Sequence, residues 1–362
     1  MPALSLIPVL SLMAHASRQP AAPLRILLRT TGYRLRPPHA VPHEAIIRTR
    51  QDLQTAAPHR RADIRVEQRS GPLPTVVVGG FVPDATEAFY LLRGGLLRHG
   101  SVYYCNYPRR GFATDLFLAQ LEDLLEEIRM VHGRRPALIA VSFGAGLVLE
   151  MLRRHAAAGT AVSLAGLTLI SPVACAEDLL DPAAPKPTTL LGRVLLPYLR
   201  SDGTPDEQVV EKSRTVFLRM FESGAQNKDA LRFLLTREET RRLRGAVLEA
   251  INAIDATGAS ERVGALRAMP ALDRPRALFR GPTLLLHAEK EGAVLQANSP
   301  TWRELRERTA AWFPQGRHLV VANTAENPVQ HASLIFHGHN FEPALNAFYR
   351  GIRQALPRRH AA

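Results

Sequence analysis

The stretch between residues 137 and 157 constrains the fold more than any other part of the chain. Residues 137–141 form an apolar run with the length of a buried strand, and residues 144–157 have the pattern of a helix. Ser142 stands at the corner between them. A sharp turn from strand to helix forces its apical residue into a strained backbone conformation and projects the side chain clear of the sheet. Such a corner is typical of a serine that acts as a nucleophile.

The residues on either side of Ser142 are small, as this turn requires. Gly144 and Gly146 follow the serine, and Ala140 precedes it where the familiar G-x-S-x-G pattern has glycine. In these residues the chain resembles the α/β-hydrolase family, which includes serine esterases, lysophospholipases and thioesterases, and the resemblance extends over residues 70–355. The alternative is an ordinary strand–helix unit in which Ser142 caps the helix.

Short apolar runs bounded by glycine and proline recur along the chain, and helical stretches separate them. The runs occupy residues 75–78, 102–105, 137–141, 167–170, 283–286 and 319–322. Runs of this length are typical of strands buried on both faces. Apolar residues also recur at helical spacing from 117 to 128, and residues 343–356 are predicted to form a terminal helix. The alternation predicts an α/β fold with a mostly parallel, doubly wound sheet.

Composition divides the chain into four segments. Residues 1–70 are predicted to form an N-terminal extension with edge strands at 46–47 and 64–66, and residues 17–70 are rich in arginine, proline and histidine. Residues 71–175 and 281–362 carry the two parts of the hydrolase-like core.

The remaining segment, residues 176–280, interrupts the alternation. Its helical stretches are 190–199, 207–221, 229–235 and 238–254, and no convincing strand accompanies them. We therefore predict a helical cap inserted after the sixth strand. The resemblance implies that this cap is a lid over the site and shapes an acyl pocket. The alternative is a separate helical subdomain that binds a partner.

Positive charge dominates the composition. Lysine and arginine total 46 against 33 acidic residues, which gives a net charge of +13, and nearly all of the cations are arginine. A base-composition bias of the source genome explains this as well as selection for an anionic partner does. The charge favours a weak attraction to an anionic membrane surface. No long arginine run, zinc pattern or aromatic-interleaved basic motif accompanies it, so we expect no nucleic-acid partner.

The sequence also indicates the cellular compartment of the protein. Cys105 and Cys175 are too few for a disulfide framework, and no apolar run approaches the roughly 20 residues of a membrane span. Residues 3–13, followed by Ala-His-Ala at 14–16, resemble a secretory signal, but no lysine or arginine precedes the apolar part. We expect a cytoplasmic protein, with export as the alternative.

A nucleophilic serine needs an imidazole to take its proton and a carboxylate to orient that imidazole. In α/β-hydrolases the acid follows the seventh strand. The resemblance places Glu291 at this position, after the apolar run that starts at residue 283. Most relatives carry aspartate there, so the longer glutamate requires a more distant imidazole or a different loop. Glu289 is the alternative acid, and solvated loop charges are the alternative for both glutamates.

The resemblance also implies that His331 is the base, because it lies in a loop after the last strand and just before a helix. His318, His337 and His339 compete for this role. The spacing of the three histidines at 331, 337 and 339 matches no helical pair of metal ligands, and no cysteine or aspartate lies beside them. We expect neither a metal nor an organic cofactor.

The tetrahedral intermediate of acyl transfer needs donors aimed at its oxygen. One is the backbone N–H of Phe143, the residue after the serine, at the positive end of a helix. The other comes from the loop after the third strand, where Gly79 and Gly80 let the backbone approach a ligand. We expect the N–H of Phe81 there, with Gly80 as the alternative. This loop resembles the family's H-G-F or H-G-G segment but lacks its histidine.

The resemblance therefore implies a serine hydrolase that cleaves a carboxylic ester or thioester through an acyl-enzyme intermediate. Leu191, Leu195, Phe217 and Phe221 in the predicted cap suggest a small-molecule or lipid-like substrate with a hydrophobic acyl group, although the same spacing also packs a helical core. An acyltransferase with the same triad and a non-catalytic binding protein are the alternatives. The sequence does not determine the oligomeric state.

Overall fold

The computed structural model describes most of the chain from residue 58 onward. The described residues are 31, 39–44, 58–181, 184, 186–200, 206–225 and 235–355. The signal-like residues 3–16 and the strand fragment at 46–47 lie outside them. So does most of the predicted helix 229–235.

An eight-stranded sheet forms the centre of the described structure. In chain order the strands are β1 (Val41–Pro42), β2 (Asp63–Glu67), β3 (Thr75–Val78), β4 (Val102–Asn106), β5 (Ala137–Val141), β6 (Gly166–Ile170), β7 (Thr283–Ala288) and β8 (Gly316–Val321). Their spatial order is β1-β2-β4-β3-β5-β6-β7-β8. The β1–β2 and β2–β4 pairs are antiparallel, and every other neighbouring pair is parallel. The predicted α/β fold with a mostly parallel sheet is therefore confirmed.

Helices connect the strands. In chain order they are α1 (Ala85–Ala88), α2 (Arg93–Leu96), α3 (Thr114–His132), α4 (Phe143–Ala157), α5 (Leu190–Arg200), α6 (Glu207–Ala225), α7 (Arg237–Ala253), α8 (Ala256–Ala268), α9 (Pro300–Glu307), α10 (Thr309–Trp312) and α11 (Leu334–Ala355). Short 3₁₀ turns occur at Pro58–Arg60 and Ala176–Asp178. Among the described helices, none combines the length and the hydropathy needed to span a bilayer.

The central strands are buried on both faces because helices cover each side of the sheet. In β3, Val76 and Val78 pack into the apolar layer that contains residues of α3 and α4. Val77 packs into the opposite layer, with residues of α1, α2 and α11. Successive strand residues face opposite sides of a sheet, so a strand covered on both sides reads as a continuous apolar run.

Helices α5 to α8 lie between β6 and β7 in the chain, where the cap is predicted. Within the described part of residues 176–280 there is no strand. Helix α8 is not predicted from the sequence, because its residues are mostly small or polar and follow no single apolar stripe. It begins after Asp255, whose side chain accepts an N–H from Gly258 at 2.6 Å.

The starts of two elements differ most from the expectation. Strand β8 begins at Gly316 rather than at residue 319, because an edge strand tolerates the polar residues Arg317 and His318. Helix α11 begins at Leu334 rather than at residue 343. Proline usually marks the first turn of a helix, but Pro343 lies inside α11, beyond a kink at His337.

Candidate active site

The turn between β5 and α4 holds Ser142 in a strained backbone conformation. Its φ is 51° and its ψ is −119°, a region that costs a residue with a Cβ on the order of 1–3 kcal/mol. Close packing explains the small neighbours, because a Cβ on Gly144 would lie 2.2 Å from the carbonyl oxygen of Gly79. A Cβ on Gly146 would lie 2.1 Å from the carbonyl oxygen of Val173. The helix can therefore approach the loops after β3 and β6 only without these side chains.

The structure brings Ser142, His331 and Glu291 into one chain of contacts. The distance between Oγ of Ser142 and Nε2 of His331 is 3.0 Å. On the other side of the ring, Nδ1 of His331 contacts Oε2 of Glu291. All three are largely shielded from solvent, with Ser142 8% exposed and the side chains of His331 and Glu291 6% and 10% exposed. With Nδ1–H donating to the carboxylate, Nε2 is free to accept the serine proton.

The environment of Glu291 keeps its carboxylate ionised. Burial raises the pKa of Glu291, but the neighbouring His331, with its hydrogen bond, and the hydrogen bond from Ser171 together outweigh burial, so the pKa lies below its ordinary value. Oε1 accepts the Ser171 hydroxyl at 2.7 Å and the N–H of Ala288 at 2.7 Å. Glu291 thus folds back on the end of β7, which accommodates the methylene that aspartate lacks.

Glu289, the alternative acid, holds a loop. Its Oε1 accepts the backbone N–H groups of Asn323 and Val329, each at 2.8 Å. These hydrogen bonds lower the pKa of Glu289. They tie the loop that leads to His331 to the end of β7. It is Glu291, and not Glu289, that lies against the imidazole.

The other candidate histidines have different partners. His337 contacts Oγ of Ser333 at 3.0 Å and Oδ1 of Asn327 at 3.1 Å, and the ring of His339 stacks on it at 6.5 Å. His318 contacts His287 at 2.9 Å. In the described part of the chain, no group of three or more histidine, cysteine, aspartate or glutamate side chains is arranged to hold a metal ion.

Ser171 is a site residue that the sequence analysis missed. It follows β6 and bridges two loops, because its Oγ donates to Glu291 and accepts the N–H of Ala332 at 3.3 Å. Among the described non-glycine residues, positive φ occurs at Ser142, Ser171 and Ala332. All three surround the site, so the backbone strain is concentrated there. A polar residue directly after a buried parallel strand, at the edge that also carries Ser142, is the signal that could have found it.

The loop after β3 passes directly beside the serine. A Cβ on Gly80 would lie 3.4 Å from Cβ of Ser142 and 4.0 Å from its Oγ. Phe143 is the first residue of α4, so its N–H has no acceptor within the helix. The rings of Phe81 and Phe143 meet edge to face at 5.5 Å. Backbone N–H groups from both segments thus lie near Ser142, and the choice between Phe81 and Gly80 as second donor remains a prediction.

A cavity of about 1070 Å³ opens onto Ser142 and His331. Its cap side is mainly apolar, with Arg219 also on the wall. The apolar cap residues are Leu190, Leu191, Phe217, Met220, Phe221, Val247 and Ile251. Of the four cap residues singled out in the sequence, Leu195 is the exception, because it lines a separate apolar cavity of about 30 Å³ with Tyr198.

The strand order, the nucleophile-type turn and the cap together define the α/β-hydrolase fold, and solved structures share it. The chain is similar to a thermophilic esterase from Thermogutta terrifontis, with 17% identity and a TM-score of 0.53 over 80% of this chain and 94% of that one. It is also similar to MenH from S. aureus, with 14% identity and a TM-score of 0.53 over 80% and 98% of the two chains. An epoxide hydrolase from Bacillus megaterium has 9% identity and a TM-score of 0.54 over 80% and 97%.

These identities are low, so the likeness establishes the fold and not the reaction. No protein-family model matches the chain, and no curated protein matches it in sequence. The reaction must therefore be argued from the site.

Proposed function

We propose that the protein is a serine hydrolase that cleaves carboxylic esters or thioesters with an apolar acyl group. One observation carries the proposal. Contacts link Ser142 through His331 to Glu291, and Ser142 and His331 line a cavity whose cap side is mainly apolar. A hydroxyl, an imidazole and an ionised carboxylate in this order are the groups that acyl transfer through an acyl-enzyme requires.

In the first half of the reaction, Oγ of Ser142 attacks the carbonyl carbon and Nε2 of His331 takes the hydroxyl proton. The negative charge that develops on the carbonyl oxygen is stabilised by the N–H groups of Phe143 and Phe81. His331 then gives its proton to the departing alcohol or thiol, and the acyl group stays on Ser142 as an ester.

In the second half, water attacks the acyl-enzyme and His331 takes a proton from it. Collapse of the second tetrahedral intermediate releases the carboxylic acid, and the proton returns to Oγ of Ser142. Glu291 stays ionised through both halves, because its pKa lies below the ordinary value. It holds Nδ1–H of His331 in place and stabilises the imidazolium.

The cavity defines the expected substrate. Its cap side brings Phe217, Met220 and Phe221 to the space in front of the serine, and its core side adds Ile335 and Phe336. Apolar walls favour an apolar acyl chain through the burial of its surface. We expect kcat/KM to rise from acetyl to medium-chain acyl esters of the same alcohol.

A fluorophosphonate probe tests the nucleophile, because it reacts with an activated serine. We expect labelling of the wild-type protein and none of Ser142→Ala or His331→Ala. Ser223→Ala is the matched control, since Ser223 lines the same cavity but is exposed on the cap. Labelling that persists in Ser142→Ala would contradict the assigned nucleophile. No labelling of the wild type would favour a non-catalytic binding protein.

The lifetime of the acyl-enzyme separates hydrolysis from acyl transfer. With p-nitrophenyl butyrate as substrate, a hydrolase should release butyric acid and p-nitrophenol at equal rates, with no effect of added alcohols. Slow release of the acid, together with faster p-nitrophenol release when an alcohol or amine is added and becomes acylated, would instead identify an acyltransferase.

A further inference from the structure

A fully buried arginine connects the cap to the loop beside the serine. Arg262 belongs to α8 and is 0% exposed. Its Nη1 donates to the carbonyl oxygen of Phe81 at 3.1 Å, and its Nη2 donates to the carbonyl oxygen of Pro108 at 2.7 Å. The guanidinium therefore spans the loops that follow β3 and β4.

Tyr107 holds the same loop from the other side. Its hydroxyl donates to the carbonyl oxygen of Gly79 at 3.0 Å. Its ring lies under the guanidinium of Arg262, 5.1 Å from the ring centroid, and the ring of Phe81 lies 5.9 Å away. The carbonyl groups on both sides of Gly80 are thus held by one buried pair.

Packing alone does not explain a charge at this position. Taking a cation out of water costs several kcal/mol unless its hydrogen bonds are replaced, and an apolar side chain of similar volume would fill the same space. Among the described residues, Nε of Arg262 has no hydrogen-bond partner. Asp84, the acid that acts most strongly on its charge, is itself bound by Arg109 at 3.0 Å. What the guanidinium provides instead is two directed bonds to carbonyl groups.

We propose that Arg262 and Tyr107 are positioning residues for the oxyanion loop, residues 79–82. Their contacts with the carbonyl groups of Gly79 and Phe81 hold the two peptide groups on either side of the Gly80–Phe81 peptide. This restricts the rotation of the Gly80–Phe81 peptide and keeps the N–H of Phe81 aimed at the space in front of Ser142. This inference rests on the proposed function. Because α8 belongs to the cap, the cap then contributes to the alignment of the oxyanion donors as well as to the substrate cavity.

The test compares Arg262→Met with Arg267→Met. Arg267 lies on the same helix but is exposed, and its Nη1 donates to a carbonyl group of α5, far along the chain from the loop. With p-nitrophenyl butyrate, we expect kcat of Arg262→Met to fall about 10- to 100-fold with KM within about twofold, since misaligning an oxyanion donor affects the transition state most. Arg262→Lys, which keeps one donor, should recover part of kcat. Arg267→Met should match the wild type.

Amide hydrogen exchange gives a readout independent of activity. The backbone amides of residues 79–82 should exchange faster in Arg262→Met than in the wild type, and they should be unaffected in Arg267→Met. Unchanged exchange there, with kcat equal to that of the control, would overturn the proposal. If Arg262→Met does not fold, Tyr107→Phe tests the proposal instead, because it removes only the hydroxyl that holds the carbonyl group of Gly79. Faster exchange at 79–82 then supports the proposal and unchanged exchange overturns it.

Different experimental results would contradict the two proposals. A wild-type protein that no fluorophosphonate labels contradicts the serine hydrolase, whereas the exchange measurement still tests the positioning of the loop. An active wild type whose Arg262 variants keep full kcat and normal exchange contradicts only the positioning role.

Discussion

Ser171 donates a 2.7 Å hydrogen bond to Oε1 of Glu291, the carboxylate oxygen that faces away from His331. The same hydroxyl accepts the N–H of Ala332, next to His331 in the chain. One side chain after β6 therefore holds both the proposed acid, Glu291, and the loop of the proposed base, His331. Its effect on the reaction passes through Glu291 and His331, so Ser171 is a positioning residue.

Replacing Ser171 by alanine should lower kcat more than it changes KM. A hydrogen bond to a charged group contributes roughly 1.5–3 kcal/mol, so we expect kcat/KM to fall at least about 10-fold. Steady-state hydrolysis of p-nitrophenyl butyrate measures the effect, with Ser70→Ala as control, because Ser70 is exposed and lies outside the cavity. Wild-type kcat in Ser171→Ala would show that Glu291 is positioned without this hydroxyl.

The two glutamates after β7 should respond differently to replacement by glutamine. Glu291→Gln removes the negative charge against His331 and should lower kcat about 10³- to 10⁴-fold. Glu289→Gln weakens the bonds to the N–H groups of Asn323 and Val329, so it should lower Tm and reduce kcat far less. Kinetics and thermal unfolding of both variants decide the assignment. Equal losses of kcat would mean that Glu289 also acts on the imidazole.

Gly144→Ala should disrupt the site. Its Cβ would meet the Gly79 carbonyl oxygen at 2.2 Å, so the helix or the oxyanion loop must move. We expect loss of fluorophosphonate labelling and a lower Tm. Gly245→Ala is the control within a helix, because nothing in the described part of the chain lies within 4 Å of its Cβ position, and it should raise stability by about 0.5–1 kcal/mol. A Gly144→Ala protein with normal labelling would contradict the packing argument.

The buried His287 should make the protein sensitive to acid. It is 0% exposed, and burial lowers its pKa to about 4. Between that value and its ordinary pKa of 6.5, the unfolded chain binds a proton that the folded protein does not, so stability falls as the pH drops through this range. The charged or titratable groups that act on it are Glu291, His318, His331 and Arg306.

His287→Gln removes this titration. The difference in Tm between pH 7.5 and pH 5.0 should therefore be smaller in His287→Gln than in the wild type, whatever the absolute Tm values are. His155→Gln, which changes a histidine paired with Glu122 on the surface, is the control. An equal difference in Tm for His287→Gln and the wild type would show that other groups cause the acid sensitivity.

Local sequence patterns predict much of the fold. The apolar runs at β3 and β5 coincide with the strands, because a strand covered on both faces is apolar throughout. The predicted starts of the edge strand β8 and of α11 are wrong, because both elements include residues that no local pattern identifies. Arg317 at a solvent-exposed edge and Pro343 inside a kinked helix have no local pattern that distinguishes them from loop residues.

Local patterns predict only part of the candidate site as well. The small residues around Ser142 are a local signal, because only a tight turn from strand to helix needs them. The candidate acid and base follow from the order of elements in the family that the chain resembles. That order does not distinguish Glu291 from Glu289, or His331 from His339. Ser171 was missed, because a serine after a strand is common and its partner is 120 residues away in the chain.

By itself, the sequence determined where most of the central strands lie along the chain and the corner that holds Ser142, since both depend on interactions between residues close in the chain. Only the tertiary structure decided which glutamate faces the imidazole of His331, that Ser171 joins two loops, and that Arg262 is buried against Phe81. Contacts between residues far apart in sequence depend on how the strands and the cap pack. A charged residue in a polar helix looks the same in the sequence whether it faces water or a carbonyl group.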